Sequence, residues 1–335
     1  MYCLSRLSLY IFYFWRVFVW IAAGVILLGA GNVRAAEPAG SFAESEAVTG
    51  KSAWMFGHGA EPVWSELASG LEIACFPARD PAGNTLEMVI LRIDPRRFIF
   101  SVHTATGEGE ALSLGAWADR HKLSAAINAS MYLPDGRTST GYLRVGEHLN
   151  NGRIAGRFGA FFVSDPHTPF PEEPSPTKGS GNAAEAGSAR SSDGDLPEAA
   201  LLDRACDTWE ALLPRYRNVV QNYRLISADR RLLWNPGGPK HAISAVGSDG
   251  NGNILFIHCR EPLTGIDFGA WLLALPIDVR LVMYTEGGSQ AGLLVRSGSV
   301  HRIWMGRHPA DLWTAGNPSA PLPNVIGIRP KSSQQ

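Results

Sequence analysis

The sequence predicts an α+β domain built on a mixed β-sheet core with about three short helices. Three observations carry that expectation. Short runs of Val, Ile, Leu, Tyr and Phe, bounded by Gly, Pro, Asn and Asp, recur along the chain and read as strands. Only three stretches look helical: Leu114, Trp117 and Ala118 after Ser113; the turn to Leu213 after the capping box Asp207-Thr208-Trp209-Glu210; and Phe268, Trp271, Leu272 and Leu275 after Thr264. The composition, 45% hydrophobic and 18% charged over 335 residues, suits a sizeable core in one large domain or two small ones.

Taken in order, the chain opens on a targeting segment. Arg6 and Arg16 precede the apolar stretch Val17 to Gly31, and small residues follow at Val33-Arg34-Ala35. This order fits a signal peptide over residues 1–36, cleaved after Ala35 or Ala36. The apolar length from Leu7 also suffices for an uncleaved anchor, and a membrane is a partner only in that case. Either way the rest is exported, to a periplasmic or extracellular site. Residues 37–60 are small, polar and Gly-rich, and read as a tether.

The domain spans 61–308. Expected strands are Leu71 to Phe76, Thr85 to Ile93, Phe98 to His103 and Leu123 to Ile127. Gly141 to Val145 and Phe158 to Ser164 follow. Residues 165–197 hold hardly a large apolar side chain and read as a disordered insertion, with an interdomain linker as the alternative. Then come strands at Asn218 to Ser227, His241 to Gly247 and Asn253 to Cys259, the last two joined around Asp249-Gly250-Asn251-Gly252. The tail 309–335 is rich in Pro and Ser and reads as a loose surface segment.

A formal net charge of −1 and the lack of a polybasic run give no case for nucleic acid. Beyond the targeting segment three cysteines remain, Cys75, Cys206 and Cys259, enough for one disulfide and a spare thiol. No CxxC or HxxxH spacing occurs, so neither a metal nor another cofactor is expected.

The stretch Val279 to Val295, VRLVMYTEGGSQAGLLV, is the most informative. An apolar run ends abruptly in Thr285-Glu286-Gly287-Gly288-Ser289, and a second apolar run follows. A lone carboxylate at the end of a core strand, beside two glycines, suits general acid or base work; an ordinary hairpin turn with its Glu in water is the plainer reading. The near match to a GxSxG nucleophile elbow fails, because that elbow needs a following helix and Leu293-Leu294-Val295 reads as a strand. Asn128, where the small-residue strand Leu123 to Ile127 meets a loop, either holds a ligand or closes its own turn.

Together these motifs resemble the phosphodiester glycosidase family. Ile127-Asn128-Ala129-Ser130-Met131-Tyr132 resembles its "NAGMF" segment, and Thr140-Gly141-Tyr142-Leu143 its next strand. Gln221-Asn222-Tyr223-Arg224 stands in the place of "QSGP", Ser244-Ala245-Val246-Gly247 in that of "TAIG", and Thr285-Glu286-Gly287-Gly288-Ser289 in that of "DGGGS". The resemblance implies hydrolysis of a sugar 1-phosphodiester, with a phosphorylated glycan as partner. It implies Glu286 as the acid or base, Asn128 and Gln221 orienting sugar or phosphate, Ser244 and Ser289 donating hydrogen bonds, and Tyr132 as a wall. Ile243 stands where the family has an arginine, and Arg224, Arg144 or His241 are the candidate replacements. A chain of this fold without catalysis, binding glycan or protein, is the alternative.

Overall fold

Strand Thr85–Ile93 shows how the core is built. Val89, Leu91 and Ile93 point to one side and Met88 and Ile90 to the other, and all five are buried. A strand covered on both faces reads as a near-continuous apolar run, which explains the sequence of this segment.

The structure, a computed structural model, describes residues 55–56, 63–80, 82–167, 196–307 and 316–331. They form three sheets. The largest runs Met55–Phe56, Leu71–Arg79, Thr85–Ile93, Ile254–Leu263, His241–Asp249, Val279–Gly287, Arg224–Ile226, with Ser65–Ala68 also on Leu71–Arg79. The second runs Ala199–Asp203, Ala160–Pro166, Tyr216–Asn222, Leu143–Val145, His148–Asn151. The third runs Val300–Met305, Gly292–Ser297, Ala125–Asn128, Asn324–Pro330, Phe98–Thr104. One face of each sheet contributes to a shared central core, with Leu91 and Phe256 from the first, Phe162 and Val220 from the second, and Ile127 and Ile326 from the third. Helix Gly265–Ala274 covers the outer face of the first sheet through Phe268, Trp271 and Leu272. Helix Leu114–His121 covers the third through Leu114 and Trp117, and the turn at Trp209 packs on the second.

The expected α+β class with a mixed sheet is therefore corrected to a mainly antiparallel β fold. Every strand pair among the described residues is antiparallel. The reason lies in one connection. Helix Gly265–Ala274 does carry the chain between two strands of like direction, Ile254–Leu263 and Val279–Gly287. Strand His241–Asp249 lies between them and pairs with both, so no parallel ladder forms.

Two further expectations change. Asn218 to Ser227 is not one strand. Tyr216–Asn222 belongs to the second sheet and Arg224–Ile226 to the first, with Tyr223 as the joint. The tail is not wholly loose either: Asn324–Pro330 is an inner strand of the third sheet, between Ala125–Asn128 and Phe98–Thr104. Ala160–Pro166 and Ala199–Asp203, on either side of the expected insertion, pair directly, with Ser164 opposite Ala199. Residues 168–195 of that insertion, the targeting segment and most of the tether lie outside the described residues. Within the tether, Met55–Phe56 pairs with Ala78–Arg79. Cys75, Cys206 and Cys259 are free thiols. No helix among the described residues is long and apolar enough to cross a membrane.

Ile326 is fully buried in the central core. Ile326→Ala is expected to destabilise the fold by about 3 kcal/mol in denaturant unfolding, the usual cost of such a truncation in a core. A loose tail would give a change near zero.

Candidate active site

Where strand Val279–Gly287 reaches the edge of the core, its ladder with His241–Asp249 slips. Tyr284 lies opposite Ala245 and Glu286 opposite Ser244, so Thr285 is an extra residue without a partner of its own. Two buried bonds hold this bulge. The Thr285 hydroxyl donates to the Ser244 carbonyl at 3.0 Å, and the Asn222 amide donates to the Thr285 carbonyl at 3.2 Å. After the bulge come Glu286 and Gly287, and then the 3-10 turn Gly288–Gln290.

Glu286 is half-buried, and its Oε1 accepts the Gly287 N–H at 2.9 Å. Burial dominates over that single bond and pushes the carboxyl up to about 8. Two phenols feel its charge. Burial first, and then Glu286, raise both Tyr132 and Tyr284. Beside Tyr284 stands His241. Its Nδ1 lies 3.1 Å from the Pro239 carbonyl, which can only accept, so Nδ1 carries the proton and Nε2 accepts from the Tyr284 hydroxyl at 3.3 Å. Burial lowers the His241 pKa and favours this neutral ring. Both side chains rest on Gly287. A Cβ there stands 2.2 Å from the Tyr284 oxygen and 2.3 Å from the His241 ring, so only glycine fits. Gly288 turns the chain with φ of 77°.

From Tyr284 an aromatic series leads outward. Trp234 lies 5.2 Å from Tyr284, Tyr223 lies 6.1 Å from Trp234, and Phe158 lies 4.4 Å from Tyr223, centroid to centroid. Tyr223 and Trp234, with Arg157, Gly159, Arg224, Leu233 and Asn235, line a cavity of 630 Å³. Arg224 is ion-paired to the buried Asp203, whose other oxygen takes the Ala228 N–H at 3.0 Å; its Nε has no acceptor among the described residues.

Tyr284 thus links His241 to Trp234 and the cavity bordered by Arg224, and the Glu286 charge reaches both Tyr284 and Tyr132. The other expected residues have different surroundings. The Asn128 amide donates to the Gln290 carbonyl at 2.9 Å and its oxygen accepts the Gly292 N–H at 2.7 Å, so it closes the far end of the Glu286 turn. Gln221 is fully buried. Its oxygen takes the N–H groups of Tyr142 and Ala155, and its amide donates to Ala155 and Phe158 carbonyls at 3.0 Å, which leaves nothing for a ligand. Ser244 is equally buried, between His258 Nδ1 at 3.0 Å and the Gly292 carbonyl at 3.4 Å. Ser289 is exposed in the turn. Arg144 binds the Leu213 and Tyr216 carbonyls in the second sheet. Ile243 lies in the apolar cluster under helix Gly265–Ala274.

Sequence reasoning missed Tyr284, Trp234, Arg157 and Asn222. Only Tyr284 carried a usable signal, two positions before Glu286 on a strand. Among the described residues, one group has its donors close enough to suggest a metal site: His103, Glu108 and His121. The two imidazoles stack 3.6 Å apart at 20°, so their lone pairs lie in nearly parallel planes and do not converge on one ion. Glu108 hydrogen-bonds both rings instead, at 3.0 and 2.8 Å.

No family model and no curated protein matches this sequence. Solved structures do. One is a hypothetical protein from Synechocystis, at TM-score 0.51 and 12% identity, over 82% of this chain and 64% of that one. Another is the catalytic domain of zebrafish N-acetylglucosamine-1-phosphodiester alpha-N-acetylglucosaminidase, auto-inhibited by its pro-peptide, also at 0.51 and 12%, over 82% of this chain and 86% of that one. The match thus spans less than two thirds of the Synechocystis protein. At 12% identity the likeness is one of fold alone.

The Glu286 carboxyl has a definite consequence for stability. Its folded pKa of about 8 lies above the unfolded value of 4.5, so the folded protein holds the proton more tightly. That contribution is complete below pH 4.5 and is lost as pH rises through about 8. Glu286→Gln is therefore expected to leave the melting temperature unchanged at pH 4 and to raise it by about 2 °C or more at pH 9. Equal melting curves at pH 9 would place the carboxyl in water.

Proposed function

We propose that this chain is an exported hydrolase that splits a sugar 1-phosphodiester, with Glu286 as its acid. The observation that carries the reading is a half-buried carboxyl beside Tyr284, from which an aromatic series leads to an arginine-bordered cavity; burial pushes that carboxyl up to about 8. The fold shared with a phosphodiester glycosidase domain supports the substrate class. In this reading Tyr223 and Trp234 stack on a sugar ring, since aromatic faces suit the apolar side of a ring. Arg157 and Arg224, which border the cavity, supply positive charge for the phosphate. Glu286 gives its proton to the bridging oxygen as the bond from the anomeric carbon breaks. Water adds to that carbon, and a free sugar and a phosphomonoester leave. A phosphodiester oxygen is already a weak base, so one well-placed acid suffices and a second carboxylate is not required. Tyr132 borders the acid, and Ser289 on the exposed turn offers a hydroxyl. Asn128, Gln221 and Ser244 act only through the backbone they hold.

A second reading is favoured by Ile243. Its side chain is part of the core, so the cation of the family motif has no counterpart at that position. A glycan-binding protein of this fold, without turnover, would tolerate that loss.

The test is release of free sugar from a panel of sugar 1-phosphodiesters. The parent is expected to turn over at least one of them, and Glu286→Gln to lower kcat by a factor of about 100 or more, the range for a general acid. Activity is expected to fall as pH rises past about 8, because the acid must hold its proton. Folded parent protein that binds glycan and releases no sugar decides for the second reading.

A further inference from the structure

A second concentration of positive charge lies behind the Gly288 turn, outside the cavity. Strand Ile254–Leu263 and the end of strand Val300–Met305 meet here: the Arg307 N–H donates to the Arg260 carbonyl at 3.0 Å. Gly306 packs so tightly on the turn that a Cβ built on it stands 2.0 Å from the Gly288 oxygen. Arg302 lies over the Trp304 ring at 4.9 Å. Burial first, and then the charges of Arg307 and Arg302, draw the Arg260 guanidinium below the usual arginine range. Arg307 and Arg302 thus both lie within reach of the Arg260 charge.

Their carboxylate partners are inadequate. Glu261 is 4.0 Å from the Arg260 Nε, beyond hydrogen-bond reach, and one of its oxygens is turned to the Glu87 N–H at 3.3 Å. Burial raises the Glu261 carboxyl, and its charge acts on Arg260 against those of Arg307 and Arg302. Glu87 is the other acid whose charge reaches Arg260. Meanwhile the Nε atoms of Arg260 and Arg307 and the indole N–H of Trp304 are buried without an acceptor among the described residues. Each such donor is costly to bury if nothing accepts from it. Half-buried like charges beside orphaned donors are what an oxyanion relieves. Guanidinium forks match a tetrahedral oxyanion through paired bonds.

We propose that Arg260, Arg302 and Arg307 form a binding site for a phosphate-class oxyanion beside the Gly288 turn. The site does not depend on turnover by Glu286, so its test does not either. Thermal unfolding and calorimetric titration of the full chain, with inorganic phosphate as probe against chloride at equal ionic strength, measure it directly. Phosphate is expected to raise the melting temperature where chloride does not. Arg260→Gln and Arg307→Gln are each expected to weaken phosphate binding at least tenfold while melting no lower than the parent without phosphate, because each removes a repulsion. Arg280→Gln, at an exposed position paired with Asp278 and away from both sites, is expected to bind phosphate as the parent does. Equal effects of phosphate and chloride overturn the proposal. So does phosphate binding kept in Arg260→Gln and lost in Arg157→Gln, which puts the anion in the aromatic cavity. Methyl phosphate separates the sources: binding like that of inorganic phosphate marks a phosphoryl group on a larger molecule, and binding of inorganic phosphate alone marks the free ion.

Discussion

The bulge at Thr285 is the constraint on which the candidate site depends. A regular ladder would place residues 284 to 287 on alternate faces down to the edge of the sheet. The extra residue breaks that alternation and lets Tyr284, Gly287 and His241 meet on one side. The bulge is held by groups from three places: the Ser244 carbonyl in the same sheet, the Thr285 hydroxyl itself, and the Asn222 amide at the end of a strand of the second sheet. Asn222 is the last residue before the chain crosses from the second sheet to the first. The geometry of Glu286 is thereby coupled to the packing of two sheets.

Three buried amides share this kind of work. Asn128 fixes Gln290 and Gly292, Asn222 fixes Thr285, and Gln221 fixes Ala155 and Phe158. Each binds backbone at a strand end, a bulge or a loop, so each satisfies groups that would otherwise be costly to bury. The Glu286 turn is held at its start by Asn222 and at its end by Asn128. Between them Ser289 is exposed.

Much of this was legible in the sequence, and the failures have physical causes. Thr85 to Ile93, the helix after Thr264 and the abrupt end of the apolar run at Glu286 were readable because period, caps and glycines are local signals. Strand direction is not local: the same residues suit parallel and antiparallel ladders, and the interposed strand His241–Asp249 decided the matter. Asn324–Pro330 was lost because its short apolar run, Val325 to Ile328, includes a glycine and lies among prolines and serines. Gln221 illustrates a deeper limit. An amide beside a motif looks the same in sequence whether its partner is a ligand or the carbonyl of Phe158. Trp234 and Arg157 lie in irregular loops, where spacing carries no information about what converges.

The protonation states of the site follow one logic. Glu286 is pushed up to about 8, His241 is lowered, and the Tyr132 and Tyr284 phenols are raised. Burial imposes all of these, since it disfavours charge on every group alike. The site therefore presents protons and hydrogen bonds but no negative charge, while the adjoining cavity is bordered by Arg157 and Arg224. In the reaction proposed above, a neutral Glu286 would meet a phosphate oxygen without repulsion and still have a proton to give. A single physical cause, the partial burial of one carboxyl before a glycine turn, would supply both properties which that proposal needs.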